Sequence, residues 1–458
     1  MACRTLLLVS VNRYVTPSPV YPLAMARLSA AVERAGHRVF QFDVLVHGLD
    51  ALPGVVNDVR PDLIGISIRN IHSTNSSIPY PCASGYREAI KTVRSCSSAP
   101  VVLGGSGFSL FPRVLMGELG ADYGIVGPGE DALCSLLGAL DGDGGRAQGG
   151  IPGVMVGQEG PPVALGGAGS GSRMRVQTSH DPYLVGEYWN SSGIIGVQTK
   201  RGCPRNCIYC TYPLIDGRQV TSAEPGEVAD ELEKLTRDHA VRYVFFTDSV
   251  FNLRSEDEIA LAEEICRREL SLSWGAYFCP SGITPEYLTI LRKSGLTHLE
   301  FGTDSLCDEV LDSYGKGFDV EGVVDISAMC VDLGLHYCHF VVFGGPGENM
   351  DTIRQTVTNS KRMKRALFFP CIGMQVYPNT RLHRMHNAEH SMTDEEYLSP
   401  VFFLAPGLDY DTIAEIIEKE KCRENYWVTQ SDYTRLARAM TRMRETGRVG
   451  PLWELLVR

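Results

Sequence analysis

The chain contains no run of about 18 apolar residues, the length needed to cross a bilayer. Leu6–Val11 is largely apolar but only strand-length, with neither a long hydrophobic region nor a small-residue cleavage site behind it, so the expected location is the cytoplasm and no membrane partner is expected. Cationic residues are in deficit. Against 54 Asp and Glu stand 43 Lys and Arg, a formal charge of −11, which argues against a broad grip on nucleic acid or anionic lipid and for a small-molecule substrate. No G-x-G-x-x-G follows the first apolar run, where the chain reads Val11-Asn-Arg-Tyr-Val-Thr-Pro, so a nicotinamide cofactor is disfavoured. What is present is a globular balance: 458 residues, 44% hydrophobic and 21% charged, enough for two or three domains.

From residue 1 to about 142 strand-like runs alternate with amphipathic stretches, which predicts an open, doubly wound (Rossmann-like) α/β sheet. The expected strands are Thr5–Val11, Arg38–Val44, Leu63–Ile68, Pro100–Leu103 and Tyr123–Val126, with helices over Tyr21–Ala35, Ser84–Ser95, Phe111–Leu119 and Glu130–Leu140. Residues 143–190 begin rich in Gly with scattered Pro and read as a linker, with a short hairpin starting near Gly153–Val156. A second βα series occupies 191–390, with strands at Ile194–Thr199, Tyr243–Thr247, Ser273–Phe278, His298–Gly302, His336–Phe343 and Phe368–Val376. Such a series suits a partial, TIM-like (β/α)6 barrel with its chemistry at the strand carboxyl ends. Residues 391–458 read as a small helical cap, whose aromatics Phe402, Phe403, Tyr410, Tyr426 and Trp427 are expected to pack.

Of fourteen cysteines, Cys203, Cys207 and Cys210 stand apart as C-x3-C-x2-C within Thr199-Lys-Arg-Gly-Cys-Pro-Arg-Asn-Cys-Ile-Tyr-Cys. At this cysteine content the spacing would arise by chance roughly 0.01 times. The other eleven are expected to be small buried hydrophobes. A structural zinc wants four protein ligands, and no fourth Cys or His follows in the loop. A [4Fe–4S] cubane held by three cysteines instead keeps one iron open to a substrate or cofactor. A zinc knuckle completed by a distant residue stays open as the alternative.

The Arg201-Gly-Cys-Pro-x-x-Cys-x-x-Cys stretch resembles the signature of the radical S-adenosylmethionine (radical SAM) enzymes, whose open iron chelates SAM. Further landmarks follow in that family's order. Asp248, in Phe245-Phe-Thr-Asp-Ser, is similar to the acid that holds the SAM amino group. Asp304-Ser305, in Glu300-Phe-Gly-Thr-Asp-Ser, stands where the family carries G-x-E-S before Gly315-Lys-Gly, which implies a ribose contact. Phe343-Gly-Gly-Pro-Gly-Glu, with Gly344 and Gly345, looks like the family's L-P-G-E turn, and Tyr377-Pro-Asn-Thr comes after the sixth strand. Residues 1–142 resemble the cobalamin-binding domain that precedes the barrel in one radical SAM subclass. The matching stretches are Tyr21-Pro-Leu, Ala35-Gly-His-Arg-Val-Phe-Gln-Phe-Asp, Leu103-Gly-Gly-Ser-Gly-Phe-Ser-Leu-Phe-Pro and Ala121-Asp-Tyr-Gly-Ile-Val-Gly-Pro-Gly-Glu. This resemblance implies cobalamin contacts from Tyr14, Arg69, Gly104, Gly105, Phe108 and Glu130, the glycines letting the backbone approach a flat corrin. The D-x-H-x-x-G string that gives a histidine to cobalt in familiar mutases is missing. That leaves Arg69 to lie under the ring, with His72 a weaker candidate ligand.

The resemblance implies a cobalamin-dependent radical SAM C-methyltransferase. Methyl would pass from SAM through methylcobalamin to a small molecule, an indole- or pyrrole-like natural-product intermediate, with flavodoxin or ferredoxin as reductant. A cobalamin-binding radical SAM oxidoreductase or cyclase is the alternative. No general base stands out among Glu300, His339 and Tyr377.

Overall fold

A computed structural model describes residues 3–15, 18–72, 83–140, 150–157, 173–419, 425–429, 432, 439 and 442–456. The first sheet has six strands: β1 (Thr5–Ser10), β2 (Arg38–Asp43), β3 (Leu63–Ser67), β4 (Val101–Gly104), β5 (Tyr123–Ile125) and β6 (Val154–Val156), in the order β2-β1-β3-β4-β5-β6. β1 to β5 are parallel and β6 runs antiparallel at the edge. The apolar runs explain this arrangement. Leu6, Leu7, Leu63, Ile64, Val101 and Leu103 are all buried, because parallel strands carry helices on both faces. The strand order reverses between β1 and β3, the position where such sheets bind ligands beyond their carboxyl ends.

The second sheet contains β7 (Ile195–Val197), β10 (Tyr243–Phe246), β11 (Ser273–Phe278), β12 (Leu296–Asp304), β13 (His336–Phe343), β14 (Ala366–Ile372) and β17 (Asn425–Trp427). They are parallel throughout, in the order β17-β14-β13-β12-β11-β10-β7, which makes an open barrel. Two small ladders accompany it: β8 (Lys200–Arg201) with β9 (Thr221–Ser222), and β15 (Met374–Gln375) with β16 (Phe402–Phe403).

The α/β class and the two-sheet plan agree with the sequence reading, but three elements differ. β6 falls where the linker's short hairpin is expected, but it pairs with β5 instead. The helix Pro182–Ser192 falls in the expected linker, started by Asp181, whose side chain accepts from the Tyr183 and Leu184 amides. β17, placed in the expected helical cap, is a seventh barrel strand. Of the eleven other cysteines, Cys279, Cys307, Cys330 and Cys338 are buried as expected, whereas Cys3 and Cys266 are exposed; Cys82 and Cys422 lie outside the described residues.

One hydrophobic core runs through both sheets, joining Leu6, Tyr21 and Leu133 of the front unit to Val185, Val197 and Leu232 of the rear one. Polar links add to it: Tyr188 Oη donates to Asp43 at 3.2 Å, and Tyr21 Oη pairs with His180 Nδ1 at 2.8 Å. Under the barrel the short 3-10 helix Leu452–Leu456 packs Trp453 and Leu456 against Cys338, Leu367 and Val428. Among the described residues no helix is long and apolar enough to cross a membrane.

Trp427 is fully buried and stacks on Phe368 with ring centroids 4.6 Å apart. Trp427→Ala should therefore cost about 3–5 kcal/mol in a denaturant unfolding curve; a loss under about 1 kcal/mol would mean that β17 does not belong to the sheet.

Candidate functional site

The cysteine loop leaves β7 through β8 and is held from three sides. Gly202 has φ +90°, and a Cβ there would lie 2.1 Å from the Gln219 carbonyl oxygen, so only glycine lets the chain turn so close. The Cys203 amide donates to Gly217 O at 3.0 Å, and the Ile208 amide to Tyr314 O at 3.1 Å. Ser249 Oγ donates to Gly202 O at 3.2 Å. Burial pushes the Cys207 and Cys210 thiols up, Cys210 to about 12, so the loop awaits a metal that takes the place of the protons. None of the three is in a disulfide. Three thiol donors in one loop, with no fourth Cys or His in it, suit a multi-iron cluster that keeps one iron open.

The acids named from the sequence sit behind this loop rather than on its open side. Asp248 is fully buried; its Oδ1 accepts from the Thr199 and Lys200 amides at 2.7 and 3.0 Å, and its Oδ2 from Thr199 Oγ1 at 2.5 Å. Burial nevertheless raises its pKa. Asp304, at φ +67°, receives Lys316 Nζ at 2.7 Å and Tyr209 Oη at 2.6 Å. Ser305 points into the core, its Oγ 3.1 Å from Thr356 Oγ1. The Gly344 and Gly345 amides both donate to Glu348, which burial pushes up to about 7. These groups frame the site by shaping its loops. Their polar atoms are engaged inside the protein, which fixes the position of each at the rim of the site.

The front sheet turns its carboxyl ends toward the barrel mouth. Arg69, just past β3, is exposed there, and its charge acts on the phenols of Tyr212 and Tyr277 across the gap. Tyr14 is exposed in the loop after β1. A Cβ on Gly104 would meet nothing nearer than 3.8 Å, so its backbone is open to a flat ligand. Three of the residues named from the sequence have close partners within the protein. Gly105, at φ +104°, is required by the Ile68 carbonyl, 2.6 Å from where its Cβ would be. Phe108 is buried against Gly124. Glu130 accepts a two-pronged Arg201 guanidinium at 2.6 and 3.2 Å, with Arg27 at 3.5 Å. Burial works against its charge, but the two cations outweigh it and hold the carboxyl at about 2. His72 is buried with Nε2 2.8 Å from Leu398 O and Nδ1 3.1 Å from Gln375 Nε2, which leaves no nitrogen for cobalt.

The sequence reading missed the barrel's inner wall. Phe245, Tyr277, Phe340 and Phe369 form an arc, with centroid separations of 4.9 Å between the first pair, 6.3 Å between Tyr277 and Phe340, and 5.4 Å between the last pair. Tyr277 is surrounded by protein yet 37% exposed, as befits a side chain lining an internal cavity. Only the alternation of side chains along each strand could have signalled this arc, and its members sit on four different strands. Glu300 lies beside Tyr277 in register, accepts Trp453 Nε1–H at 2.8 Å, and is pushed up to about 7 by burial. Of the other two acid–base candidates, His339 is buried between Phe301 and Phe368, with burial lowering it to about 3. Tyr377 Oη donates to Gln375 at 2.9 Å.

The Radical SAM superfamily model matches residues 197–358, and the B12 binding domain model residues 9–137. The chain is a cobalamin-binding radical SAM enzyme. The two family matches imply a [4Fe–4S] cluster, SAM and cobalamin as its cofactors. The tryptophan 2-C-methyltransferase of Streptomyces laurentii is 27% identical over 427 residues, covering 79% of this chain and 71% of that protein. An uncharacterized methyltransferase of Pyrococcus horikoshii is 25% identical, covering 79% and 77%. Among solved structures, the methyltransferase TsrM from Kitasatospora setae, with tryptophan and a SAM analogue bound, superposes with a TM-score of 0.84 at 23% identity, covering 99% of this chain and 97% of that one.

Two measurements check this radical SAM site. Cys203→Ala, Cys207→Ala and Cys210→Ala should each abolish the absorbance at about 400 nm of the reconstituted protein; an unchanged spectrum would refute the cluster loop. Glu300, with its pKa raised from 4.5 to about 7, contributes stability that is full below about 4.5 and lost as pH rises through about 7. Glu300→Gln should therefore gain roughly 2 kcal/mol on the wild type between pH 5.5 and 8. An equal difference at both values would show that the carboxyl does not titrate there.

Proposed function

We propose that this enzyme methylates a carbon of an electron-rich aromatic small molecule, indole- or pyrrole-like, seated between Arg69 and the aromatic wall of the barrel. The observation that carries this reading is the arc of Phe245, Tyr277, Phe340 and Phe369 with a lone buried carboxyl, Glu300, beside it. Aromatic faces grip a flat ring by stacking and edge contacts, and a single polar group in an apolar pocket sets its orientation. The relative named for tryptophan 2-C-methylation supports the same substrate class.

In this proposal Cys203, Cys207 and Cys210 hold the cluster, and Tyr14, Arg69 and Gly104 meet the corrin. Asp248, Asp304, Ser305, Gly344 and Gly345 would shape the walls of the SAM site. When bound, the cluster supplies an electron and an open corner for SAM, and the corrin carries the methyl group. The rest is the work of the chain. Arg69 brings positive charge but no lone pair, and His72 is engaged elsewhere, so the end of β3 offers cobalt no imidazole. Glu300, balanced near neutrality, is suited to take a proton from an acceptor N–H or C–H. The two facing sheets exclude water from the transfer. A small reductant protein such as flavodoxin or ferredoxin completes the system.

Enzyme reconstituted anaerobically with iron, sulfide and hydroxocobalamin, then given SAM, reductant and tryptophan or related indoles and pyrroles, should form S-adenosylhomocysteine together with a C-methylated acceptor. Release of 5′-deoxyadenosine with no methylated product across this panel would overturn the proposal in favour of an oxidoreductase or cyclase.

A further inference from the structure

At the closed end of the barrel, opposite the cysteine loop, three side chains converge. His298 lies near the start of β12, His336 opens β13, and Glu454 belongs to the 3-10 helix beneath them. One ligand atom from each falls within 4.8 Å of the other two. His298 Nε2 stands 3.6 Å from Glu454 Oε2, and His336 Nδ1 stands 3.6 Å from Glu454 Oε1. Neither nitrogen has a hydrogen-bond partner, although both are shielded from water. The other nitrogen of His298, Nδ1, lies 2.8 Å from Thr297 Oγ1 and 3.1 Å from Tyr243 Oη. When Nδ1–H donates to one of those hydroxyls, the Nε2 lone pair faces a carboxylate. Two acceptors confronting each other, with the nitrogens shielded from water, are costly unless a cation sits between them.

Separation decides what that cation is. A proton shared by an imidazole and a carboxylate draws the heavy atoms to about 2.7–2.9 Å. A tetrahedral ion bound at about 2.0–2.1 Å sets its ligand atoms about 3.3–3.4 Å apart, much nearer to what is seen.

The geometry points to a three-ligand divalent-cation site, formed by His298 Nε2, His336 Nδ1 and the Glu454 carboxylate, that takes zinc and pins the terminal helix across the floor of the barrel. Two imidazoles and one carboxylate suit zinc, with water in the fourth position. The surroundings are those of a built site. Hydroxyls on His298 Nδ1 orient the ring, as outer-shell partners of metal ligands do. The Trp453 ring packs edge-on against His298 at 5.1 Å, and the His298 and His336 rings meet at 5.3 Å.

The test uses anaerobically prepared enzyme carrying its cluster and corrin, so that iron occupies the cysteines. After titration with zinc sulfate and desalting, zinc, iron and cobalt are counted by elemental analysis. About one zinc per chain should be retained, and its X-ray absorption should report imidazole and oxygen ligands without sulfur. His336→Asn and Glu454→Gln, both on the partly exposed rim, should weaken zinc binding at least tenfold while iron and cobalt contents stay unchanged. No retained zinc, sulfur-ligated zinc, or zinc held equally by both variants would overturn the site. The absorption spectrum of the wild type decides the matter even where a variant folds poorly.

Discussion

Arg201 precedes the first cluster cysteine by two residues, and its guanidinium closes on Glu130 at the start of a front-domain helix. Arg27 meets the same carboxylate and also donates to Gln198 Oε1 at 2.5 Å and to Arg175 O at 2.6 Å. This largely buried cluster ties the loop before the cysteines to the front sheet. Together with the shared core it fixes how the two sheets face one another. Removing one member would leave its partners charged and buried, which is far more damaging than losing a surface ion pair.

The same logic repeats behind the loop. Lys200 is buried, with Nζ donating to Glu258 at 3.0 Å and to Phe251 O at 2.5 Å, and Lys316 is buried on Asp304. Burying ions adds little to stability, but paired and hydrogen-bonded ions admit few alternative arrangements. Besides its cysteines and Pro204, the loop has only Ile208 and Tyr209 as apolar anchors, too few to define its shape alone. The acids at the strand ends supply that definition from below.

Much of this was legible in the sequence, for identifiable reasons. Parallel strands buried on both faces are continuous apolar runs, so Thr5–Ser10 and Leu63–Ser67 fall where the runs place them. The cysteine spacing carries its chemistry in one line of text. The direction of a side chain does not. Asp248 and Asp304 end strands as expected, yet which amides and amines they meet depends on residues 49 positions and 12 positions away. Asn425–Trp427 is too short to show a strand period, and it becomes one only because β14 offers an edge. Gly105 and Phe108 sit in the motif that resembles a corrin-binding stretch, but packing against Ile68 and Gly124 accounts for both.

The position of β17 bears on biosynthesis. The front sheet is complete by Val156, whereas the barrel sheet gains its outermost strand only after residue 425 has been made. Units of a chain fold as they leave the ribosome, earliest first. The vitamin's half of the enzyme can thus be shaped while the other half is still a growing polypeptide, and the cysteines emerge long before the last stave arrives to close the wall around them.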